Sequence, residues 1–374
     1  MSVEIKEVIS TKDLKKWVDF PNKLYKNVKA YVPFLFNDEM ETFTKSKNPC
    51  YEYSETKLFL AYKNNKIVGR IAGLLNHAYN QKWNKSAMRF TRFDFIDDYE
   101  VSKALFDKVV EWAKNESLNT IMGPIGFNDF DHEGMLVEGF DEMNMSITFY
   151  NHPYYLDHMT KLGLVKDADW VEYQVMIPEQ LDPRIEKLSK RVLDKYKFEL
   201  VIYKDRKKLF KDAFEAFNII DIAFSKLYGT VPLTKEYINK AINDYIPLVN
   251  LDYVCSVKNT DGEIIAFALL LPSIAKALKK SNGKLFPFGI FRMLNALNGK
   301  NDILEMYFIA VEPKYQSLGI PAIMMNTLVK MCKDNNVKYC ETGPELETNT
   351  DVQGMWKSFD ARQHKRRRCF IKEI

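Results

Sequence analysis

The chain has 374 residues, 46% of them hydrophobic, enough for about two domains of 100–200 residues each with its own core and too apolar for a disordered polymer. Lysine and arginine number 54 against 50 aspartates and glutamates, a net charge of +4 with the signs interspersed, so no whole-molecule field favours nucleic acid and DNA is not an expected partner. Five cysteines form no CxxC pair or zinc pattern and the longest apolar run, around "IIAFALLLPSIA", is shorter than the roughly 18 residues a membrane span needs; with the charged start "MSVEIKEVIS", these features predict reduced thiols, no bound metal, no transmembrane segment and a cytoplasmic location.

The first half opens with a strand, "VEIKEVI", and an amphipathic helix from "TKDLKKWV", with Thr11 as the expected N-cap and Leu14, Trp17 and Val18 at helical spacing. "KLFLAYK" and "KIVGRIAGLL" around Asn64 and Asn65 predict a hairpin; "MRFTRFDFI", the helix "EVSKALFDKVVEWAKN" and the strand "NTIMGPIG" complete a βαβββαβ order. The loop "NDFDHEG", residues 128 to 134, is one glutamate short of a calcium loop starting at Asp129, because Phe140 stands at its twelfth position; it reads as an acidic loop between domains.

A charged helix, "PRIEKLSKRVLDKYK", reads as the connection, and the order then repeats. It runs through the strand "FELVIYK", two helices, a hairpin "DYVCSVKNTDGEIIAFALLL" turning at Asp261 and Gly262, the strand "DILEMYFIAV", a helix, "VKYCETG" and a final "RRRCFIKEI". Local wording recurs as well: Gly123 to Gly134 matches Gly343 to Gly354 in spacing, which favours a duplicated domain. In "HKRRR" some arginines are expected in solvent. The segment 274 to 300, "IAKALKKSNGKLFPFGIFRMLNALNGK", is longer than a hairpin needs and has no acidic residue. It is expected to pack on the first domain and to wall an acyl or acceptor pocket through Phe286 and Phe288, a membrane-surface helix being the third reading.

Between the last strand before it and the next helix, the second half has "VEPKYQSLGIPA", residues 311 to 322, where the first half has "IDDYEVSK". A helix N-terminus offers free N–H groups and the positive end of the helix dipole, and glycine allows close approach, so the second copy is built for a phosphate. "QSLGIPA" in this setting resembles the Q/R-x-x-G-x-G/A loop of the GNAT acyltransferases, and "NHPYYLDHMTKLGLVK" and "NTDVQGMWKSFDA" resemble a later GNAT segment. "GMLVEGFD" and "YNHPYY" resemble a bacterial family of double-domain GNAT proteins.

The resemblance implies an α+β fold of two tandem GNAT-like domains, each a mixed, mostly antiparallel sheet flanked by helices: 1–180 without a pyrophosphate loop, the connecting helix 181–196, and 197–374 with one. It implies acetyl-CoA or another acyl-CoA as co-substrate, held by Ile309, Ala310, Val311, Gln316, Ser317, Leu318, Gly319, Ile320, Pro321, Ala322 and Asn349. Transfer to an amine of a small molecule or peptide follows, with Tyr307, Phe286, Phe288 and Trp356 towards the substrate. Pro321 stands where the family has glycine or alanine and lacks an N–H. Trp356 stands where many members have a tyrosine that protonates the leaving thiolate, which leaves the general acid unassigned. Glu305 alternates with Ile303, Tyr307 and Ile309 and matches the position of the base in the histone acetyltransferase branch, so it is the expected general base. Two alternatives stand beside this reading, an aminoacyl-tRNA-dependent transferase of the double-GNAT type and a non-catalytic acyl-CoA-binding protein.

Overall fold

A computed structural model of the chain describes residues 2–374. The first half contains β1 (Glu4–Glu7), α1 (Thr11–Leu24), α2 (Phe36–Thr42), β2 (Ser54–Lys63), β3 (Lys66–Asn76), α3 (His77–Trp83), β4 (Ala87–Phe95), α4 (Tyr99–Asn115), β5 (Thr120–Gly123), β6 (Met135–Glu138), α5 (Tyr155–Lys161) and β7 (Val165–Met176). The cap of α1 lies one residue earlier than expected: Ser10 accepts from the Asp13 N–H, and Thr11 is already helical. Asn64 and Asn65 turn the β2–β3 hairpin with φ of 53° and 59°, the left-handed pair that a two-residue hairpin requires.

After α6 (Pro183–Tyr196) the second half contains β8 (Glu199–Ile202), α7 (Arg206–Phe224), α8 (Lys235–Tyr245), β9 (Val254–Lys258), β10 (Ile264–Pro272), α9 (Ala275–Ser281), α10 (Gly289–Asn298), β11 (Ile303–Val311), α11 (Ile320–Asp334), β12 (Tyr339–Thr342), β13 (Glu345–Leu346), α12 (Thr350–Trp356) and β14 (Ala361–Glu373). Val101, Leu105 and Val109 of α4 anchor one core, and Ile320, Ile323, Met324 and Leu328 of α11 anchor the equivalent core of the other half.

The strands form one mixed α+β sheet in the order β1-β2-β3-β4-β5-β14-β7-β12-β11-β10-β9-β8. The two halves therefore exchange their last strands. β14, from the end of the chain, pairs with β5 of the first half, while β7 of the first half pairs with β12 of the second. The two exchanged strands pair with each other from Ala361↔Val175 to Ile371↔Val165.

β7 has no counterpart among the expected elements, because Asp169 and Glu172 interrupt its apolar alternation. Both are buried and answer the basic run of β14. Lys365 lies 3.4 Å from Glu172 and from Glu341, and Arg367 pairs with Glu172 and reaches Asn144 at 2.7 Å. Arg366 and Arg368, on the opposite face, hold Asp169 at 3.1 and 2.7 Å. The run alternates as expected, with Arg366 and Arg368 part-exposed and Lys365 and Arg367 buried.

Candidate functional site

β11 pairs with β10 as far as Val311↔Ala266, but with its parallel neighbour β12 only from Ile303↔Tyr339 to Met306↔Thr342. Gly343 and Pro344 end β12, and the two strands part. The backbone from Tyr307 to Val311, including Ile309 and Ala310, has no strand on that side, and an extended chain can bond to such an edge.

At the end of β11 the chain enters a 3-10 turn, Pro313–Leu318, and Gly319 opens α11 with φ +83°. That left-handed conformation favours glycine. Gln316 donates from Nε2 to the Val311 carbonyl at 3.1 Å, so its side chain holds the turn against the strand end. Ser317 is exposed and Ile320 buried. Pro321 has no N–H, and the Ala322 N–H bonds the Gly319 carbonyl at 3.1 Å.

Glu305 is 2% exposed on β11. The Ser273 hydroxyl, at the end of β10, donates to one carboxylate oxygen at 2.6 Å, and the Ser146 hydroxyl donates to the other at 3.1 Å. Ser146 also lies 3.1 Å from the Tyr307 hydroxyl. Burial pushes the Glu305 carboxyl up to about 7, Ser273 pulls it back, and the charge of Glu341, its register partner on β12, pushes it further up. Tyr307 is also raised, by burial and by Glu305. Ser146 belongs to the first half, where Asn144 is held by Arg367. The first half thus contributes a side chain to the environment of the second half's carboxylate. Neither serine carries a sequence signal, since they reach Glu305 from residues 32 and 159 positions away.

Other expected site residues lie elsewhere. Phe286 and Phe288 are 75% and 65% exposed, so they wall no pocket; the segment folds outward as α9 and α10. Trp356 is buried, and its indole N–H donates to both Glu345 oxygens at 2.9 and 3.1 Å, which ties it to protein rather than substrate. Burial raises that Glu345 carboxyl to about 7, although bonds from Trp356 and Thr342 pull it down. Asn349 flanks the start of α12, where its carbonyl accepts from the Gln353 N–H at 3.3 Å.

The loop 128–134 is not a solvated acidic stretch. Arg92 bonds Asp131 at 2.6 Å and Glu39 at 2.8 Å, all three side chains buried. Phe130 packs against Phe308 of β11 with ring centroids 4.9 Å apart and the rings tilted by 46°. His132 has Nδ1 3.1 Å from Asp131 and 3.2 Å from Arg92 and no partner at Nε2, and its ring packs against both Phe34 and Phe149. The exposed-looking sequence of this loop gave no sign of it, because the partners Arg92 and Glu39 are distant in the chain.

In the first half the equivalent edge is filled. The Ile125 N–H stays on the Phe90 carbonyl at 3.0 Å. The Phe95 N–H donates to the Tyr155 hydroxyl at 2.8 Å, the Tyr154 hydroxyl donates to the Phe95 carbonyl at 2.6 Å, and the Tyr155 ring stacks on Phe95 at 4.0 Å. Asp98 caps α4 and pairs with Lys63 at 2.6 Å. A carboxylate therefore stands where the second half has Gly319.

A strand opening beside a buried carboxylate, followed by a left-handed glycine at a helix start, defines a class, and comparison with known proteins agrees. Residues 220–360 match the model of the acetyltransferase (GNAT) family. The match falls in the second half, and the chain as a whole is similar in fold to a tandem GNAT protein. A solved tandem GNAT protein from the clavulanic acid biosynthesis pathway aligns with a TM-score of 0.58 at 10% identity, over 100% of this chain and 98% of that one. Protein YghO of Escherichia coli (strain K12) is 26% identical over 376 residues, 99% of this chain and 95% of that protein. Bacterial ceramide synthase of Caulobacter vibrioides is 22% identical over 377 residues, 97% of this chain and 95% of that protein. Among the described residues no group of three or more His, Cys, Asp or Glu side chains is placed to hold a metal ion, and no helix is long and apolar enough to cross a membrane.

Proposed function

We propose that the protein is an acyl-CoA-dependent N-acyltransferase whose acceptor is a long-chain amine of the sphingoid class. The parting of β11 from β12 at Met306, with Glu305 immediately before it and Gly319 after it, is the observation that carries the transferase reading. The acceptor class rests on the likeness to the relative named bacterial ceramide synthase, since a ceramide is an N-acylated sphingoid base.

In this reading the pantetheine arm lies along the edge Tyr307–Val311, and the pyrophosphate lies at the turn before α11. The amine nitrogen attacks the thioester carbonyl and forms the C–N bond, while Glu305 accepts the amine proton directly or through Ser146 and a water. Backbone N–H groups on the β11 edge stabilise the oxyanion. The C–S bond then breaks, and the thiolate takes a proton to leave as CoA. Glu345, a half-buried carboxyl beside the tryptophan that replaces the family's tyrosine, supplies that proton.

His132 offers a second assignment of the base, favoured by its unpartnered Nε2 and by Asp131 at Nδ1. Glu305→Gln and His132→Gln decide between them: the true base loses kcat by about 10²–10⁴-fold with partial recovery at high pH.

The overall reading is tested by incubating the purified protein with acyl-CoAs of increasing chain length and a sphingoid amine, measuring thiol release and the mass of the product. Thermal stabilisation by acyl-CoA, about 2.7 kcal/mol at 100 times Kd, is read in parallel. An N-acyl amide is expected. Neither stabilisation nor thiol release with any acyl-CoA overturns the transferase reading; acylation of short polar amines alone rejects the lipid acceptor and keeps the reaction.

A further inference from the structure

The hairpin between β10 and β11, the strand that carries Glu305, is extended by α9 and α10. One side of this insert is well fixed. Ala275 and Leu278 pack against Val32, the Phe36 N–H donates to the Gly283 carbonyl at 2.9 Å, and Asn250 donates to the Leu297 carbonyl at 3.1 Å. Met293 and Leu297 are the buried side of α10. The other side carries Phe286, Phe288, Phe291 and Leu294, which are 75%, 65%, 68% and 39% exposed. A firmly seated element that holds three phenyl rings in water gains nothing from them in folding.

The charge carried by the insert itself is of one sign. Lys276, Lys280, Lys284, Arg292 and Lys300 are exposed, and residues 274–300 contain no aspartate or glutamate, although the chain as a whole is nearly balanced. Protruding aromatic rings surrounded by cations suit a surface that is apolar just beneath a layer of negative charge. A protein partner would instead be expected to bury such anchors in pockets.

We infer that this insert seats the protein on an anionic phospholipid bilayer, with the rings of Phe286, Phe288 and Phe291 at the level of the acyl chains and the lysines at the phosphates. The insert starts at Ser273, which bonds Glu305, and returns into β11 at Ile303, so its root meets the proposed base. In combination with the proposed acceptor, this places a membrane-borne amine at the entrance to the site; the docking itself does not depend on the acceptor being a lipid.

The test is flotation of the full chain with vesicles of phosphatidylcholine alone and with 30% phosphatidylglycerol. The wild type is expected to float with the anionic vesicles, and less so at 0.5 M salt. The variant Phe286→Ser/Phe288→Ser/Phe291→Ser is expected to partition about tenfold less or weaker, with an unchanged Tm because the rings are already in water. Absence of wild-type binding to anionic vesicles, or equal binding by the triple variant, overturns the inference. So does a wild-type dimer that the triple variant turns into a monomer without loss of vesicle binding, since the rings would then serve a second copy of the chain. No acyl transfer is measured, so this result and the test of the reaction fail independently.

Discussion

Glu305 ties proton chemistry to stability. Its carboxyl sits near 7 in the folded chain, against about 4.3 in an unfolded one. Between these values the native state holds more protons than the unfolded state, so this group's contribution to stability falls as pH rises from about 4.3 to about 7, and is flat above. Glu305→Gln removes that slope. Its Tm is expected to match the wild type at about pH 4 and below and to exceed it above pH 7, while kcat at pH 7 falls by about 10²–10⁴-fold. A Tm that changes in parallel with the wild type at every pH would show that the carboxyl does not titrate in this window. Ser146→Ala removes one donor to the carboxylate, which raises its pKa, so the acidic limb of the kcat profile is expected to move to higher pH with little change in Tm. An unmoved limb would separate Ser146, and with it the first half, from the proton transfer.

The turn into α11 shows one residue serving an element in two ways. Gly319 has φ +83°, and a β-carbon there would lie 3.0 Å from Val192 Cγ2 of α6. Any substitution therefore meets backbone strain of about 1 kcal/mol and a tight contact with the connecting helix, in addition to whatever it does to a bound pyrophosphate. Gly319→Ala is expected to weaken CoA binding about tenfold or more in calorimetry and to lower Tm. Gly319→Ala/Val192→Ala relieves the contact. If the double variant still binds CoA weakly, the loop holds the cofactor; if affinity returns to that of Val192→Ala, the glycine matters only for packing on α6.

At the scale of the molecule, the exchange of β7 and β14 makes two halves into one sheet. Removing residues 361–374 takes out the strand between β5 and β7 and leaves Glu172 buried without Lys365 or Arg367. This truncation of a chain end is expected to abolish cooperative unfolding in circular dichroism, where loss of an ordinary terminus is harmless. Lys365→Met leaves Glu172 and Glu341 short of a counter-charge and is expected to cost about 3–5 kcal/mol in chemical denaturation; a cost under 1 kcal/mol would mean that water reaches these carboxylates. Because Tyr154, Tyr155 and Asp98 occupy the first half's equivalent of the proposed CoA groove, titration with CoA is expected to give one site per chain, and two would contradict the account of that half.

The repeated element order, the turn at Gly319 and the placement of Glu305 on the strand before it could be read from residues, because each depends on local spacing: alternation along β11, a glycine at a helix start, a pair of asparagines at a hairpin. The strand β7 was not legible, since its Asp169 and Glu172 look like solvent-facing residues until the arginines and lysine of β14 are placed opposite them. The exposure of Phe286 and Phe288 went the other way, an apolar run that looked like a pocket wall and lies in water. Residues such as Ser146 on Glu305, Arg92 on Asp131 and Tyr155 on Phe95 meet across 60 positions in one case and 159 in another. Pairings over that distance are chosen by which surfaces the folded sheet brings together, and only the tertiary structure decided them.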